Sequence, residues 1–209
     1  MELLLIRHGL PIRIEGADGP ADPPLSPAGV AQAEALADWL APRGIDALYT
    51  SPLRRARETA APLAASLGLD PVVDAGVEEY DAHLPEYIPI EELRADPVRW
   101  EQAVSEWTST EANDLRQTFR RRVVDAIEAI VPRHRSQRVA IVCHGGVINA
   151  YLSHVIGLGD AIFFEPAYTS VSRVVAGARA RQMVSANETP HLDHSPTWPS
   201  REARSSSAS

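Results

Sequence analysis

Two short apolar runs constrain the fold of this chain more than any other feature. Residues 3–6 are Leu-Leu-Leu-Ile, and residues 139–142 are Val-Ala-Ile-Val. A continuous apolar run of strand length is typical of a strand in a parallel sheet that has helices on both faces. Segments of strand and helix character alternate along the chain. We therefore expect an α/β fold, a three-layer α/β/α sandwich with a mostly parallel central sheet.

Serine–proline pairs indicate where the first two helices begin. Ser26 and Ser51 each precede a proline, and a serine N-cap followed by proline in the first turn is a common helix start. Gly44 and Gly68 then mark the ends of these two helices. A strand is expected between the helices, at residues 47–49.

The second half of the chain carries one more strand–helix unit and two final strands. Gly157 ends the helix expected at residues 147–156, and the last strands are expected near residues 170–175 and 180–185. A long amphipathic helix, ending near Pro132, is indicated by apolar residues at helical spacing, which are Leu115, Phe119, Val123, Ile127 and Ile130.

The chain has the length of one domain. With 209 residues, 44% of them hydrophobic, it can bury a full core. We expect this domain to span residues 1–193. Prolines interrupt short helical pieces within residues 75–113, which favours a lid or insertion over a site. Residues 194–209 are dominated by Pro, Ser and Arg, and we expect a disordered tail there.

Charge and cysteine content exclude several classes of protein. The net charge of -8 argues against general nucleic-acid binding, which needs a basic face. With Cys143 as the one cysteine, the sequence offers neither a disulfide nor a cysteine framework for zinc, which is typical of a reducing cytoplasm. The apolar start is too short for a signal peptide, and no stretch has membrane-spanning length. We therefore expect an unprocessed cytoplasmic protein that contacts no membrane.

A histidine followed by glycine comes at the end of each strand expected around the two apolar runs. Arg-His-Gly occupies residues 7–9, and His-Gly-Gly occupies residues 144–146. Ligands of open α/β sheets bind at the carboxyl ends of the parallel strands, so we expect His8 and His144 to face one pocket. Arg7 supplies a bidentate donor for a phosphate, and the glycines at the following helix N-terminus supply backbone amides for an anion.

A third segment supplies one more cation. Residues 51–59 are Ser-Pro-Leu-Arg-Arg-Ala-Arg-Glu-Thr. The helix start expected at Ser51 directs Arg55 toward the same pocket, whereas helical spacing directs Arg54 and Arg57 elsewhere.

Together these segments resemble the histidine phosphatase superfamily, also called the phosphoglycerate mutase-like family. The similarity extends to about Leu192 and includes the family's C-terminal pattern at residues 185–192, Ser-Ala-Asn-Glu-Thr-Pro-His-Leu. The resemblance implies that His8 is the nucleophile that takes up the phosphoryl group. It also implies that the phosphate ligands, beside the amides beginning at Gly145, are Arg7, Arg55 and His144. A bound phosphate dianion would favour a protonated His144.

The proton donor of this family is an acidic residue shortly after the third strand, commonly in an L-x-E pattern. Val-Glu-Glu at residues 77–79 is similar to that pattern, which implies Glu79 as the donor. Glu78 is the alternative, because the register depends on one apolar position, and Asp81 is a weaker third candidate. The competing interpretation is that these are solvated loop carboxylates without a role.

The residues after Gly9 distinguish phosphatases from mutases within the family. Mutases place an acidic residue, then Ser or Thr, and a Trp-Asn pair soon after, whereas this chain has Leu-Pro-Ile-Arg-Ile at 10–14. The region after Glu79 is also too short for the long mutase insertion. The resemblance therefore favours a metal-independent phosphomonoesterase that forms a phosphohistidine, acts on a small phosphorylated metabolite and needs no cofactor. Arg13 is a candidate for one further anion contact, with an ordinary surface arginine as the equal alternative.

Other functions compete with this one. A phosphoglycerate mutase-type phosphotransferase is the first alternative, and a non-catalytic phosphate- or partner-binding module on the same fold is the second. Cys143 is not expected to be a nucleophile, because Asn149 stands where a cysteine phosphatase needs an arginine. His191 and His194 have metal-like spacing but no further ligands, so zinc is not expected. A monomer and a homodimer are both compatible with the sequence.

Overall fold

The computed structural model describes residues 1–108, 110–159 and 162–192, apart from the side chains of residues 91, 106–108 and 110–112. The tail expected at residues 194–209 lies outside the described residues. In chain order, the elements are β1 (Glu2–Arg7), α1 (Pro27–Leu40), β2 (Ala47–Thr50), α2 (Arg54–Leu67), β3 (Val72–Val73), α3 (Ile90–Ala95), α4 (Pro97–Thr108), α5 (Thr110–Ile130), β4 (Arg138–Cys143), α6 (Gly145–Ile156), β5 (Val171–Ala176) and β6 (Arg181–Glu188).

The strands form one sheet in the order β3-β2-β4-β1-β5-β6. The pairs β1–β4, β2–β4 and β2–β3 are parallel, whereas β1–β5 and β5–β6 are antiparallel. The sheet is thus mostly parallel, as predicted. β1 and β4 are neighbours, in a register that sets Arg7 opposite Cys143. The histidines that follow these two strands therefore emerge side by side at one edge of the sheet.

Each face of the sheet is covered by helices. Leu3 and Leu5 of β1 pack in one core together with α5 and α6. Leu4 and Ile6 of the same strand pack in a second core together with α1 and α2. Because successive side chains of a strand point to opposite faces, both faces of β1 must be apolar, which explains the uninterrupted run. The predicted three-layer α/β/α sandwich is confirmed.

The two predicted helix starts differ in outcome. Ser26 caps α1 as expected, since its Oγ accepts a hydrogen bond from the Gly29 amide at 3.0 Å. The prediction for Ser51 was wrong: α2 begins at Arg54, and Leu53 is its N-cap without a side-chain hydrogen bond. Ser51 precedes this N-cap position, and its hydroxyl instead contacts His144.

Glycines end the helices where the sequence predicts. Gly68 and Gly157 directly follow α2 and α6, with φ angles of 64° and 75° in the left-handed region. Gly44 also has a positive φ of 67°, but it follows a 3-10 turn at Ala41–Arg43 that continues from α1.

The predicted apolar face of α5 is correct from Phe119 onward, since Phe119 packs against the core. Val123, Ile127 and Ile130 are buried, but Leu115 is 74% exposed. Helical spacing therefore predicted an apolar face that is longer than the part of α5 that packs in the core with α6. None of the described helices combines the length and the apolar composition needed to cross a bilayer.

The segment between β3 and α5 is hydrogen-bonded to the loop that follows β1. Ile14 and Tyr87 exchange backbone hydrogen bonds of 3.0 and 2.8 Å, and the Ala21 amide donates to the Leu84 carbonyl at 2.8 Å. The short helices α3 and α4 follow. This pairing brings Tyr87, from the region predicted to be a lid, over the carboxyl edge of the sheet.

Two glycines let the loop after β1 lie directly against the first turn of α1. A Cβ on Gly9 would be 2.7 Å from the carbonyl oxygen of Gly29, and a Cβ on Gly29 would be 2.1 Å from that of Leu10. The Leu10 carbonyl also accepts hydrogen bonds from the amide and hydroxyl of Ser26, at 2.8 and 2.9 Å. These hydrogen bonds therefore hold the loop against the first turn of α1.

Replacing Gly29 by alanine is expected to lower the free energy of unfolding by about 1–3 kcal/mol, because the added methyl group overpacks against backbone. In a helix where the added methyl group meets no other atom, the same change would stabilise the protein by up to about 1 kcal/mol. A decrease in the free energy of unfolding therefore indicates the close contact. Urea denaturation measures the difference. Gly19→Ala is the matched control, since a Cβ there meets no atom within 4 Å. Equal free energies for the two variants would contradict the close approach.

Candidate active site

His8 lies at the end of β1 as a neutral, oriented imidazole. Its Nδ1 is 2.8 Å from the carbonyl oxygen of Gly9. A carbonyl oxygen can only accept, so Nδ1 carries the proton and Nε2 keeps a lone pair. Burial, together with the positive charges of Arg55 and Arg7, holds the pKa of His8 well below its ordinary value. The ring can therefore act as a nucleophile through Nε2.

Arg7 is buried next to His8 and fixed from two sides. Its Nη1 donates to the carbonyl oxygen of Pro166 at 2.6 Å, and its Cζ lies 3.8 Å from the centre of the Tyr168 ring. Its Nε has no hydrogen-bond partner among the described residues. A Cβ on Gly145 would be 4.0 Å from this Nε, so the first residue of α6 lies beside the guanidinium.

Arg55 enters the site from the first turn of α2 and is only 1% exposed. Its Nη2 is 3.8 Å from Oδ1 of Asp81, and its Cζ lies 4.7 Å from the centre of the Tyr87 ring. Within the described part of the chain, Nε and Nη1 have no hydrogen-bond partner. Thr59, one turn later, donates to the Arg55 carbonyl at 2.7 Å and accepts from the Gly9 amide at 2.9 Å. The helix is thereby tied to the loop that carries His8.

His144 follows β4 and faces His8, with 5.1 Å between the ring centres. Its Nε2 is 2.8 Å from Oγ of Ser51, which also accepts a hydrogen bond from the Leu53 amide at 3.3 Å. Its Nδ1 has no hydrogen-bond partner in the described ranges. Burial, and then the charges of Arg55 and Arg7, hold the pKa of His144 well below its ordinary value. Without an anion the ring is neutral, so the protonated form expected from the sequence requires the dianion.

These four side chains form a cationic pocket with unused hydrogen-bonding capacity. Buried polar groups are normally paired, and leaving such a donor unpaired costs about 1–3 kcal/mol, more for a charged group. Two buried guanidiniums with unpaired N–H groups therefore favour binding of an anion with several oxygens. A phosphate satisfies this condition, since arginine N–H groups match phosphate oxygens in geometry and charge.

Glu79 lies at the edge of this pocket, against the start of α6. One carboxylate oxygen accepts from the Gly146 amide at 2.8 Å, and the other accepts from the Tyr80 amide at 3.0 Å. A Cβ on Gly146 would be 2.3 Å from Oε1 of Glu79, so a residue with a side chain there would displace the carboxyl group. The carboxyl group of Glu79, the predicted proton donor, therefore lies at the N-terminus of α6.

Burial, and then the nearby Asp81 carboxylate, raise the pKa of Glu79 from 4.5 to about 7. The amides of Gly146 and Tyr80 and the charge of Arg55 oppose this rise. Asp81 also has a raised pKa, because its burial outweighs the attraction of Arg55. One carboxyl group can therefore hold or release a proton near neutral pH, as an acid–base group requires.

Glu78 and Arg13 are directed elsewhere. Arg122 donates to the Glu78 carbonyl at 2.6 Å, and its guanidinium also lies 3.9 Å from the Glu78 carboxylate, on the α5 side. Arg13 is about two-fifths exposed and pairs with Glu15 and Glu92. Neither side chain is joined to the cationic pocket by a contact among the described residues.

Sequence reasoning missed four residues that shape the site. Thr59 lies four residues after Arg55 on the same helix face, and that spacing could have identified it. Ser51 was noticed, but for helix capping and not for its contact with His144. Tyr87 and Tyr168 cover the two arginines and are hydrogen-bonded to each other through their side chains. No local signal marks either tyrosine, since a lid and a loop bring them in.

Cys143 and the histidines His191 and His194 were the remaining candidates for chemistry in the sequence. Cys143 is buried, and burial raises the pKa of its thiol, so it is unreactive as expected. In the described part of the chain, no three His, Cys, Asp or Glu side chains are grouped to hold a metal ion. His194 lies outside that part, so the statement about the His191–His194 pair stays a prediction.

Comparison with known proteins places this geometry in a family. Residues 3–189 match the histidine phosphatase superfamily (branch 1). The probable phosphoglycerate mutase GpmB of Yersinia enterocolitica is 27% identical over 164 residues, covering 76% of both chains. Mycobacterial glucosyl-3-phosphoglycerate phosphatase has a TM-score of 0.72 at 23% identity, covering 90% of this chain and 99% of that chain. A phosphoserine phosphatase from Entamoeba histolytica bound to 3-phosphoglyceric acid has a TM-score of 0.70 at 22% identity, covering 92% and 99%.

The two solved structures share the fold at these low identities, and the family match extends over most of the chain. The resemblance predicted from the sequence is therefore confirmed, and this chain belongs to the histidine phosphatase superfamily.

Proposed function

We propose that this chain is a phosphomonoesterase that hydrolyses a small phosphorylated metabolite through a phosphohistidine at His8. One observation carries the proposal. An unprotonated Nε2 on His8 is combined with two buried guanidiniums, each of which has at least one N–H group that is unpaired among the described residues. A phosphoryl group supplies both the oxygens that these donors need and the phosphorus atom that the imidazole attacks.

In the first step, Nε2 of His8 forms a bond to phosphorus while the bond from phosphorus to the ester oxygen breaks. Arg7 and Arg55 offset the charge on the phosphoryl oxygens. His144 contributes through Nδ1, and the phosphate dianion raises its pKa. Glu79 gives its proton to the departing alkoxide, so the leaving group departs as a neutral alcohol.

In the second step, water attacks phosphorus and the bond from phosphorus to Nε2 breaks. Glu79, now a carboxylate, takes a proton from the water. Orthophosphate is released, and both His8 and Glu79 return to their starting forms. The pKa of Glu79 near 7 suits both roles, because neither protonation state is strongly disfavoured at neutral pH.

The loop after His8 supports a phosphatase over a mutase. Leu10 donates its amide to the Gln32 side chain at 2.9 Å and accepts from Ser26, and Pro11 forms a backbone bridge with Leu25. This stretch is used in packing against α1, where mutases place polar substrate contacts. The names of the similar proteins divide between mutase and phosphatase, so a mutase-type phosphotransferase is the second candidate.

A phosphorylated enzyme intermediate is the first expected result. Mixing the protein with a radiolabelled phosphomonoester and quenching it in alkali should trap label on the protein, because phosphohistidine survives base and is lost in acid. His8→Ala should abolish both the label and the turnover. Label that resists acid, or label retained in His8→Ala, would contradict the proposal. Absence of turnover across a broad phosphomonoester panel would favour the non-catalytic binding module.

Glu79→Gln should affect substrates according to their leaving groups. With an alkyl phosphate, whose alkoxide needs a proton, we expect kcat/KM to fall by about 100- to 10,000-fold. With p-nitrophenyl phosphate the fall should be much smaller, since nitrophenolate leaves unprotonated. Glu78→Gln is the matched control and should leave both rates near the unmodified values. Selective loss of the alkyl phosphate reaction in Glu78→Gln instead would transfer the role of proton donor to Glu78.

The raised pKa of Glu79 should also be visible in the pH dependence of stability. The unfolded chain releases this proton near pH 4.5 and the folded protein near pH 7. Between these values the folded state binds more protons, so the free energy of unfolding falls as pH rises. His8 and His144, whose pKa values are lowered, oppose this trend below about pH 6.5, so the contribution of Glu79 is taken as the difference between the unmodified protein and Glu79→Gln. Measured by urea denaturation, the unmodified protein should lose stability relative to Glu79→Gln by an amount on the order of 3 kcal/mol between about pH 5 and pH 8. Equal pH dependence in the two proteins would contradict the assignment.

A further inference from the structure

The position of Arg7 depends on the loop at residues 166–170, immediately before β5. The guanidinium is hydrogen-bonded to the Pro166 carbonyl at 2.6 Å and lies against the Tyr168 ring. The backbone amide of Arg7 donates to the Ser170 carbonyl at 3.1 Å. A shift of this loop would therefore move the guanidinium and its unpaired Nε relative to His8.

This loop contains a backbone conformation that needs support from outside. Thr169 has a φ of 56°, in the left-handed region, which is unfavourable for a β-branched residue. Such conformations persist where surrounding contacts hold them, and they cluster at functional sites. The Thr169 amide donates to the His8 carbonyl at 3.3 Å, so this strained residue is directly linked to the nucleophile's backbone.

Two residues from the end of β6 and just beyond it supply that support. Oδ1 of Asn187 accepts a hydrogen bond from the Ala167 amide at 2.7 Å. Nε2 of His191 is 3.0 Å from the hydroxyl of Thr169. That hydroxyl gives its proton to the Tyr168 carbonyl at 2.7 Å, so it accepts from His191. The loop is thus held at two of its five residues by side chains from a different part of the chain.

Both supporting residues are themselves fixed to the layers of the fold. His191 stacks on the Trp39 ring of α1, with 5.1 Å between ring centres and 19° between planes. The backbone amide of Asn187 donates to the hydroxyl of Ser172 in β5 at 3.2 Å. Asn187 has a φ of 61°, which asparagine adopts more readily than most residues. These contacts therefore fix the position of the loop relative to α1 and β5.

We infer that Asn187 and His191 are positioning residues that hold the loop at residues 166–170, and through it Arg7, in the geometry that binds phosphate. The inference rests on the proposed function for its catalytic consequence. Binding of inorganic phosphate, however, tests it without turnover. The hydrogen bonds of both residues go to the loop, to Ala167 and Thr169, so each acts on phosphate binding through Arg7.

The test is a double-mutant cycle on the affinity for inorganic phosphate, measured by calorimetry on the full chain. Asn187→Ala and His191→Ala should each weaken the affinity roughly 10- to 100-fold, the effect of a misplacement of about 1 Å at a preorganised site. In an Arg7→Ala background the same changes should add little, because the group that they position is gone. Asn187→Asp retains the acceptor oxygen and should restore most of the affinity.

Gln182→Ala is the control, since Gln182 is an exposed residue near the other end of β6. It should leave phosphate affinity and thermal stability unchanged. Equal losses of affinity with and without Arg7, or affinity losses that merely follow the loss of thermal stability, would overturn the inference. Failure of the unmodified protein to bind phosphate would overturn it as well. Phosphate binding that depends on Asn187 through Arg7 without any hydrolysis would uphold it and reject the proposed activity alone.

Discussion

The burial of two incompletely compensated guanidinium groups is the constraint on which the rest of the site depends. Arg7 and Arg55 are nearly inaccessible, and each has at least one N–H group without a partner among the described residues. Burying charge without full compensation costs free energy, and folding of the surrounding layers must supply it. Burial of the two imidazoles, and then these charges, hold the pKa values of His8 and His144 well below their ordinary values, which keeps a lone pair on the proposed nucleophile, His8. The arginines that cost free energy to bury therefore also help to keep His8 unprotonated.

Burial shifts the pKa values of the carboxyl groups in the opposite direction, upward. Burial raises the pKa of Glu79 although Arg55 and two amides favour its charged form. A carboxyl group with these competing influences can give a proton in one step and take one in the next. The Gly146 amide is important here because it fixes the carboxyl group, and the absence of a side chain on Gly146 makes the space for it. The proposed acid–base role of Glu79 therefore depends on a residue that has no ionisable group.

Much of the fold and part of the site could be predicted from the sequence. The run at residues 3–6 required a sheet covered on both faces, and the strand-end rule then placed His8 and His144 together. Helical spacing separated Arg55 from its arginine neighbours. Alternation of strands and helices predicted a mostly parallel sheet, but periodicity is the same in parallel and antiparallel strands, so the reversed direction of β5 was not anticipated. The contact from Ser51 to His144 joins residues far apart in the sequence, and a serine before proline has the same pattern whether it caps a helix or binds an imidazole.

The central position of β1 has a consequence for how the chain is made. β1 is the first strand in the sequence, yet its two neighbours, β4 and β5, come from the last third. During synthesis this apolar strand has neither partner until more than half of the chain has been produced. An unpaired apolar strand is prone to associate with other chains. The nascent protein therefore has a long interval in which β1 needs protection, and His8, which follows this strand, can acquire its neighbours only when that interval closes.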